Sequence, residues 1–270
     1  MLIPPHLNAW NVSLLFVHVP KTGGSAIESA LASLEGKPAG RASALWRRVT
    51  RCRPGDGRDW GANVHTPEAE ALEAARVCNR APPPILSFAV VRNVTEVARS
   101  AWEWLRQAKN MRAPPSCAAF AANAYSVPKG ATFAANAHRD PRGSLHAFAH
   151  PQHAFLGPCT IVFSYQHGLV WPFLRLLVPR MRARAKTINA APSQQRVPPC
   201  KRRPSPTDEA LVAAADAAGV LIPPCAPLTP AQRVAIPACG ACARPARAAQ
   251  SHKWPPPTTR TSFPSTPSCG

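Results

Sequence analysis

Ser13-Leu-Leu-Phe-Val-His-Val-Pro-Lys-Thr-Gly-Gly-Ser-Ala-Ile-Glu28 is the stretch of sequence that decides the fold of this chain. Its short apolar run ends at Pro20 and is followed by Lys21, two glycines and a hydroxyl residue. Apolar residues then recur at helical spacing at Ile27, Ala30, Leu31 and Leu34. The pattern predicts a buried strand, a tight turn and an α-helix, with Ser25 and Glu28 forming a capping box at the helix start.

The predicted turn has the composition of a phosphate-binding loop. A helix N-terminus presents backbone N–H groups and the positive end of the helix dipole to one point, and Lys21 adds an ammonium group. The loop is not a Walker A loop, because that motif places its lysine after the second glycine, whereas Lys21 precedes Gly23 and Gly24. An ordinary strand-to-helix turn with a surface lysine is the alternative interpretation.

A second segment carries a similar pattern. Residues Ile85 to Val91 form a continuous apolar run, which is typical of a strand buried on both faces of a parallel sheet. Arg92 follows this run, and Ser100 comes eight positions later in a predicted helix. Arginine offers a planar fork that matches phosphate oxygens, and serine adds a hydroxyl donor. Because ligands of open α/β sheets bind at the carboxyl ends of strands, we expect Arg92 and Ser100 to lie within reach of each other beside the Lys21 turn.

These two segments resemble the nucleotide-binding motifs of the Golgi-type carbohydrate sulfotransferases, which are related to heparan and dermatan 2-O-sulfotransferases. That family uses 3′-phosphoadenosine 5′-phosphosulfate (PAPS) as its sulfuryl donor. The resemblance covers about residues 11 to 222 and is strongest in the Pro20-Lys-Thr-Gly-Gly-Ser25 loop and at Arg92 and Ser100. It implies an α/β fold, a P-loop-like three-layer sandwich with a mostly parallel central sheet, and a reaction that needs no metal.

The resemblance also implies a role for each motif residue. Lys21 would contact the 5′-phosphate and the bridging oxygen, and the 3′-phosphate would lie against Arg92 and Ser100. The 5′-phosphate would be surrounded by the residues that follow the lysine, which are Thr22, Gly23, Gly24 and Ser25.

A histidine between the two motifs is the candidate general base. Several relatives carry a catalytic histidine in this interval, and His65 is the matching residue here. A base with a pKa near neutrality suits the removal of a proton from a sugar hydroxyl. The alternative is a loop histidine that caps a turn before Pro67. His18, in the strand before the turn, is expected to pack there.

Two departures from the family pattern and the net charge keep other functions open. The family commonly has proline at the position of Val94 and a second arginine at the position of Val97. A catalytically inactive nucleotide-binding or glycan-binding relative is therefore one alternative. The formal net charge of +19 suits an anionic partner. We expect an anionic or neutral glycan acceptor and disfavour a nucleic-acid-binding protein, because the sequence has no recognisable nucleic-acid motif.

Composition predicts one domain and a tail. Residues 1–222 are predicted to form the sulfotransferase domain, and residues 223–270, rich in proline, alanine and serine, a disordered tail. The chain has nine cysteines, so at least one stays unpaired if the others form bridges. Candidates for disulfides are Cys52, Cys78, Cys117 and Cys159, with their connectivity open. Cys239 and Cys242 form a C-x-x-C without a second pair, which favours a tail feature over a zinc site.

The sequence contains no apolar run of the ~18 residues that a membrane-spanning helix requires. The resemblance implies a protein of the Golgi lumen or membrane. Since neither an anchor nor a signal peptide is recognisable, we expect either a truncated sequence or a soluble form.

Overall fold

The chain folds around an open, mixed β-sheet with helices on both of its faces. A computed structural model describes residues 2–3, 5–32, 65, 67–77, 85–107, 116–117, 150–179 and 205–238. The predicted α/β class is confirmed at this level, as is a sheet that is mostly parallel in its middle.

The sheet has five strands in the order β1-β2-β3-β4-β5 among the described residues. Its strands are β1 (Leu2–Ile3), β2 (Ser13–Val17), β3 (Ile85–Val91), β4 (Ile161–Ser164) and β5 (Val220–Leu221). The three central strands are parallel, and the short edge strands β1 and β5 pair antiparallel. The carboxyl ends of β2, β3 and β4 therefore meet at one edge of the sheet.

Helices cover the sheet on both sides because each central strand is apolar on both faces. The described helices are α1 (Gly24–Ala32), α2 (Glu68–Val77), α3 (Val94–Gln107), α4 (Val170–Leu177), α5 (Pro206–Ala218) and α6 (Pro230–Ala238). Apolar residues of α1, α4 and α6 join one buried cluster, which is centred on Phe16, Phe88 and Phe163 of the parallel strands and Phe173 of α4. On the opposite face, α2 and α5 contact the alternate strand residues, which include Val17, Ala89 and Val162.

The sequence located several elements within one or two residues. The apolar run from Ile85 to Val91 is strand β3 as predicted. Helix α5 begins at Pro206 and ends before Gly219, whose φ of 75° suits a glycine cap. Helix α4 begins at Val170, so Pro172 lies in its first turn, where the missing N–H removes no helical hydrogen bond.

The described chain continues beyond the predicted domain boundary at residue 222. In the segment 223–238, Ala226 and Ile236 are buried in the same cluster as the central phenylalanines. The Arg233 guanidinium holds the turn before α6 by donating to the carbonyls of Pro223, Pro224 and Ala226. This part of the predicted tail is folded against the sheet, and residues 239–270 lie outside the described residues.

A disulfide joins Cys159, just before β4, to Cys225, just after β5, with their Cα atoms 5.2 Å apart. The sequence named Cys159 as a candidate but assigned Cys225 to the tail. Cys117 is also disulfide-bonded. Both Cys52 and Cys78 lie outside the described residues, as do the C-x-x-C cysteines.

Candidate anion-binding site

The turn between β2 and α1 adopts an unusual backbone conformation. Both Lys21, with a φ of 64°, and Gly23, with a φ of 92°, lie in the left-handed region. A lysine pays a conformational penalty there that a glycine does not, and such positions cluster at functional sites. The Thr22 hydroxyl donates to the carbonyl of Val19 at 2.9 Å and so fixes the turn from inside. Thr22 was expected to donate to a phosphate, but this bond directs its hydroxyl proton into the turn.

Both glycines of the turn allow a close approach by a ring. A Cβ atom at Gly23 would lie 3.1 Å from Cε2 of Tyr165, and one at Gly24 would overlap the imidazole of His18. Helix α1 begins at Gly24, two residues earlier than the predicted capping box requires, because Ser25 as the N-cap would make Ala26 the first helical residue. The N–H groups of its first turn, which include those of Gly24 and Ser25, have no acceptor within the helix. Lys21 precedes this helix start by three residues, and a helix start of this kind is a common anion-binding site.

The Lys21 ammonium is partly buried beside a second cation. Burial and the charge of Arg92 lower the pKa of Lys21 to about 8, against the opposing charge of Glu103. Its Nζ atom lies 5.5 Å from the centroid of the Trp104 ring. Two cations that repel each other in a partly buried setting favour a bound anion, because the anion offsets both the repulsion and the lost hydration.

Arg92 lies directly after β3, and the structure brings it to the Lys21 turn. Its Nη1 atom is 3.5 Å from the carbonyl oxygen of Lys21, although the two residues are 71 positions apart. Its Nε–H donates to Oε2 of Glu96 at 2.8 Å, and its guanidinium carbon lies 4.4 Å from the centroid of the Tyr165 ring. The expected juxtaposition of Arg92 with the phosphate loop is present.

The backbone of Arg92 is held by a buried polar chain. The side-chain amide of Gln152 accepts from the N–H of Arg92 at 3.0 Å and donates to its carbonyl at 2.7 Å. The Gln152 N–H in turn donates to the carboxylate of Asp208 at 2.8 Å. The Asp208 side chain is fully buried and also accepts from the backbone N–H of His153 at 3.0 Å. Sequence reasoning did not identify Asp208 as an anchor of the site.

Ser100 lies on α3, one helical turn beyond Glu96, and is partly exposed. Among the described residues no hydrogen bond joins Ser100 to Arg92 or to the Lys21 turn. Val94 and Val97, at the positions where the family pattern has proline and a second arginine, are buried with 6% and 4% exposure. The described part of the site therefore gathers two cations, Lys21 and Arg92, where the family motif supplies three.

His65 lies at the same edge, against the strand that leads into the turn. Its Nδ1 atom is 3.2 Å from the backbone oxygen of His18, and the two imidazole rings meet edge to face with centroids 4.6 Å apart. Burial and the nearby His18 and Lys21 charges lower the pKa of His65 to about 3, against the hydrogen bond to the His18 carbonyl. The expected pKa near neutrality is not what this environment produces.

His18 is buried as predicted, but it lies one residue after the end of β2 rather than within the strand. It is 5% exposed, and its Nδ1 atom lies 3.0 Å from Oε1 of Glu28. Burial alone would raise the pKa of Glu28, but the charge and hydrogen bond of His18 bring that pKa below its ordinary value. Glu28 therefore binds His18 across the turn, which occupies the side chain that the predicted capping box requires.

Tyr165, Glu96 and Gln152 contact Arg92, and sequence reasoning did not assign a site role to any of them. Tyr165 directly follows β4, as Arg92 follows β3, so the rule that ligands bind at the carboxyl ends of strands could have identified it.

No group of three or more histidine, cysteine, aspartate or glutamate side chains within the described ranges is placed to hold a metal ion. No helix in the same ranges is long and apolar enough to cross a membrane.

Comparison of the chain with protein-family models, with curated proteins and with solved structures produced no match. Function is therefore inferred from the residues and the geometry of the site.

Proposed function

We propose that this chain is a PAPS-dependent sulfotransferase with a P-loop-like three-layer fold, which transfers a sulfuryl group to a hydroxyl of a carbohydrate. One observation carries the proposal: Lys21 and Arg92, 71 positions apart, meet at the carboxyl edge of two parallel strands. The meeting of two cations beside a helix N-terminus supports binding of a ligand with more than one negative charge.

PAPS has anionic groups at two ends, which matches two separate cationic residues. Lys21, with the first turn of α1, would bind the 5′-phosphosulfate, and Arg92 the 3′-phosphate, with Ser100 as the further donor in the family motif. During transfer, an acceptor oxygen forms a bond to sulfur while the bond from sulfur to the bridging oxygen breaks. Negative charge then develops on the departing 5′-phosphate, next to the Lys21 ammonium, where it is stabilised most.

His65 is the proposed base for the acceptor hydroxyl. If the Nδ1–H of His65 donates to the His18 carbonyl, its Nε2 atom is the unprotonated nitrogen and is able to accept the proton. The low pKa keeps this histidine neutral in the donor-free protein. An anionic donor beside Lys21 opposes the cationic charges that depress this pKa, and so raises the basicity of His65 in the complex.

A glycan acceptor is consistent with the net charge of +19, which attracts anionic polysaccharides. If the reaction is glycan sulfation, the protein acts in the Golgi lumen.

The proposal is tested by incubating the full chain with PAPS labelled in its sulfuryl group and a panel of anionic and neutral glycans. We expect label in at least one glycan with the wild-type chain and none with Lys21→Ala. Arg175→Ala, which removes an exposed charge of α4 from a helix that contributes no site residue, is the matched control and should transfer normally. Transfer by Lys21→Ala at the wild-type rate would contradict the proposal.

A nucleotide-binding protein without turnover is the second candidate. It is favoured by the buried valines at positions 94 and 97, which leave Arg92 as the motif's one arginine. Binding of adenosine 3′,5′-bisphosphate, the desulfated nucleotide, without transfer to any glycan in the panel would select this function.

A further inference from the structure

Tyr165 joins two parts of the site that come from different strands. It is the first residue after β4, and its backbone N–H donates to the carbonyl of Val91 at 2.9 Å, which fixes it beside the end of β3. Its ring lies so close to Gly23 that a Cβ atom there would be 3.1 Å from Cε2 of Tyr165, which is tighter than an ordinary van der Waals contact. The ring also lies 4.4 Å from the guanidinium carbon of Arg92 and is 42% exposed.

The Arg92 guanidinium is thereby held from three directions. Its Nε–H donates to Glu96, its Nη1 atom approaches the Lys21 carbonyl, and its guanidinium carbon lies over the Tyr165 ring. A planar fork binds a phosphate well only when its plane is oriented, since both N–H···O bonds then form together. The bond to Glu96 fixes the Nε side of the guanidinium, and the Tyr165 ring limits rotation of the group about that bond.

We propose that Tyr165 is a positioning residue that orients Arg92 and so gives the site its preference for a nucleotide carrying a 3′-phosphate. The inference rests on the proposed function, because it takes the Arg92 fork to bind that phosphate. Tyr165 acts through Arg92 and does not take part in transfer. Its loss should therefore weaken recognition of the 3′-phosphate and leave recognition of the 5′-phosphate intact.

The test compares two ligands by calorimetry with the full chain. Adenosine 3′,5′-bisphosphate carries both phosphates, and adenosine 5′-monophosphate lacks the one that Arg92 is proposed to bind. Tyr165→Leu keeps an apolar side chain against Gly23 but removes the aromatic face, whereas Tyr165→Phe keeps that face. Arg106→Ala is the matched control, because it breaks a similar cation–aromatic contact, 4.9 Å from the Trp102 ring, on the same helix as Glu96.

For Tyr165→Leu we expect affinity for the bisphosphate to fall by about 3- to 30-fold, the range of a cation–π contact, with affinity for the monophosphate unchanged. Tyr165→Phe and Arg106→Ala should keep the wild-type ratio of the two affinities. An unchanged ratio in Tyr165→Leu would overturn the inference, as would an equal fall for both ligands, which would assign Tyr165 to the turn at Gly23. A wild-type chain that binds neither nucleotide would overturn the proposed function and this inference together.

Discussion

Raising the pH from 7 to 9 should weaken the binding of adenosine 3′,5′-bisphosphate by about tenfold, because binding requires a protonated Lys21. The pKa of this lysine is lowered to about 8 by burial and by Arg92, so it titrates inside this interval in the free protein. A bound phosphate stabilises the ammonium and moves its pKa upward. The complex therefore keeps its proton at a pH where the free protein has lost it.

The magnitude follows from the protonated fraction of the free protein. With a pKa of about 8, roughly nine tenths of the Lys21 side chains are protonated at pH 7 and roughly one tenth at pH 9. The ratio of these fractions gives the tenfold loss. His65 does not contribute, because its pKa is about 3, and phosphate monoesters complete their ionisation near pH 6.

Isothermal titration calorimetry measures the effect at both pH values, in two buffers of different ionisation enthalpy. The difference between buffers counts the protons taken up, which should approach one per nucleotide at pH 9. Lys21→Arg is the matched control, since a guanidinium stays charged throughout this range and should abolish the pH dependence. Equal wild-type affinities at pH 7 and 9 would refute the assignment. The same tenfold fall in Lys21→Arg would attribute the titration to another group, such as a thiol.

Three further results are expected. Lys21→Met should raise the free energy of unfolding at pH 7 by at most about 3 kcal/mol, because it removes the cost of burying the ammonium. The folded-state pKa of Lys21 is depressed, so this cost is full below pH 8 and is lost as the pH rises toward 10.5. Urea titrations of the variant and the wild type should therefore show a smaller difference in stability at pH 9.5 than at pH 7. His65→Ala should lower turnover by a factor on the order of 10² to 10⁴ with unchanged nucleotide affinity, because His65 is the proposed base and makes no proposed phosphate contact. Near-normal turnover in the variant would make it a turn residue. Gly24→Ala should lower the melting temperature, because the added methyl group overlaps the His18 ring. In a His18→Ala background the same change should leave the melting temperature at that of His18→Ala alone. A Gly24→Ala variant that melts like the wild type would show that the His18 ring moves aside.

The sequence was most informative where a chemical requirement and a local pattern coincided. The run from Ile85 to Val91 is apolar at every position except Ser87, so its length and burial identified β3 directly. The turn at Lys21 was recognisable because glycines and a basic residue follow a strand. The meeting of Arg92 with this turn followed from one topological rule, that parallel strands end at the same edge.

The remaining features depend on contacts that no local pattern encodes. Ile236 and Ala226 stand among prolines and small residues, and only their fit into a gap beside the central phenylalanines makes them core. The depressed pKa of His65 arises from burial and from residues close in space but distant in sequence. Glu28 matched a capping box by spacing, yet its side chain binds His18, which is a stronger partner because it is buried and polar.

The hydrogen-bonded chain from Asp208 through Gln152 to Arg92 determines how often the backbone at Arg92 opens to solvent. Ligand-binding segments usually open locally, and their amide protons exchange with solvent far faster than those of the core. Here the N–H of Arg92 bonds to Gln152, whose own N–H bonds to a carboxylate with no exposed surface. The two bonds link helix α5 to the end of β3, and Leu211 and Val212 of α5 pack in one cluster with Val91 of β3. The Arg92 amide should therefore exchange only with global unfolding, so a ligand meets an arginine that is already in place.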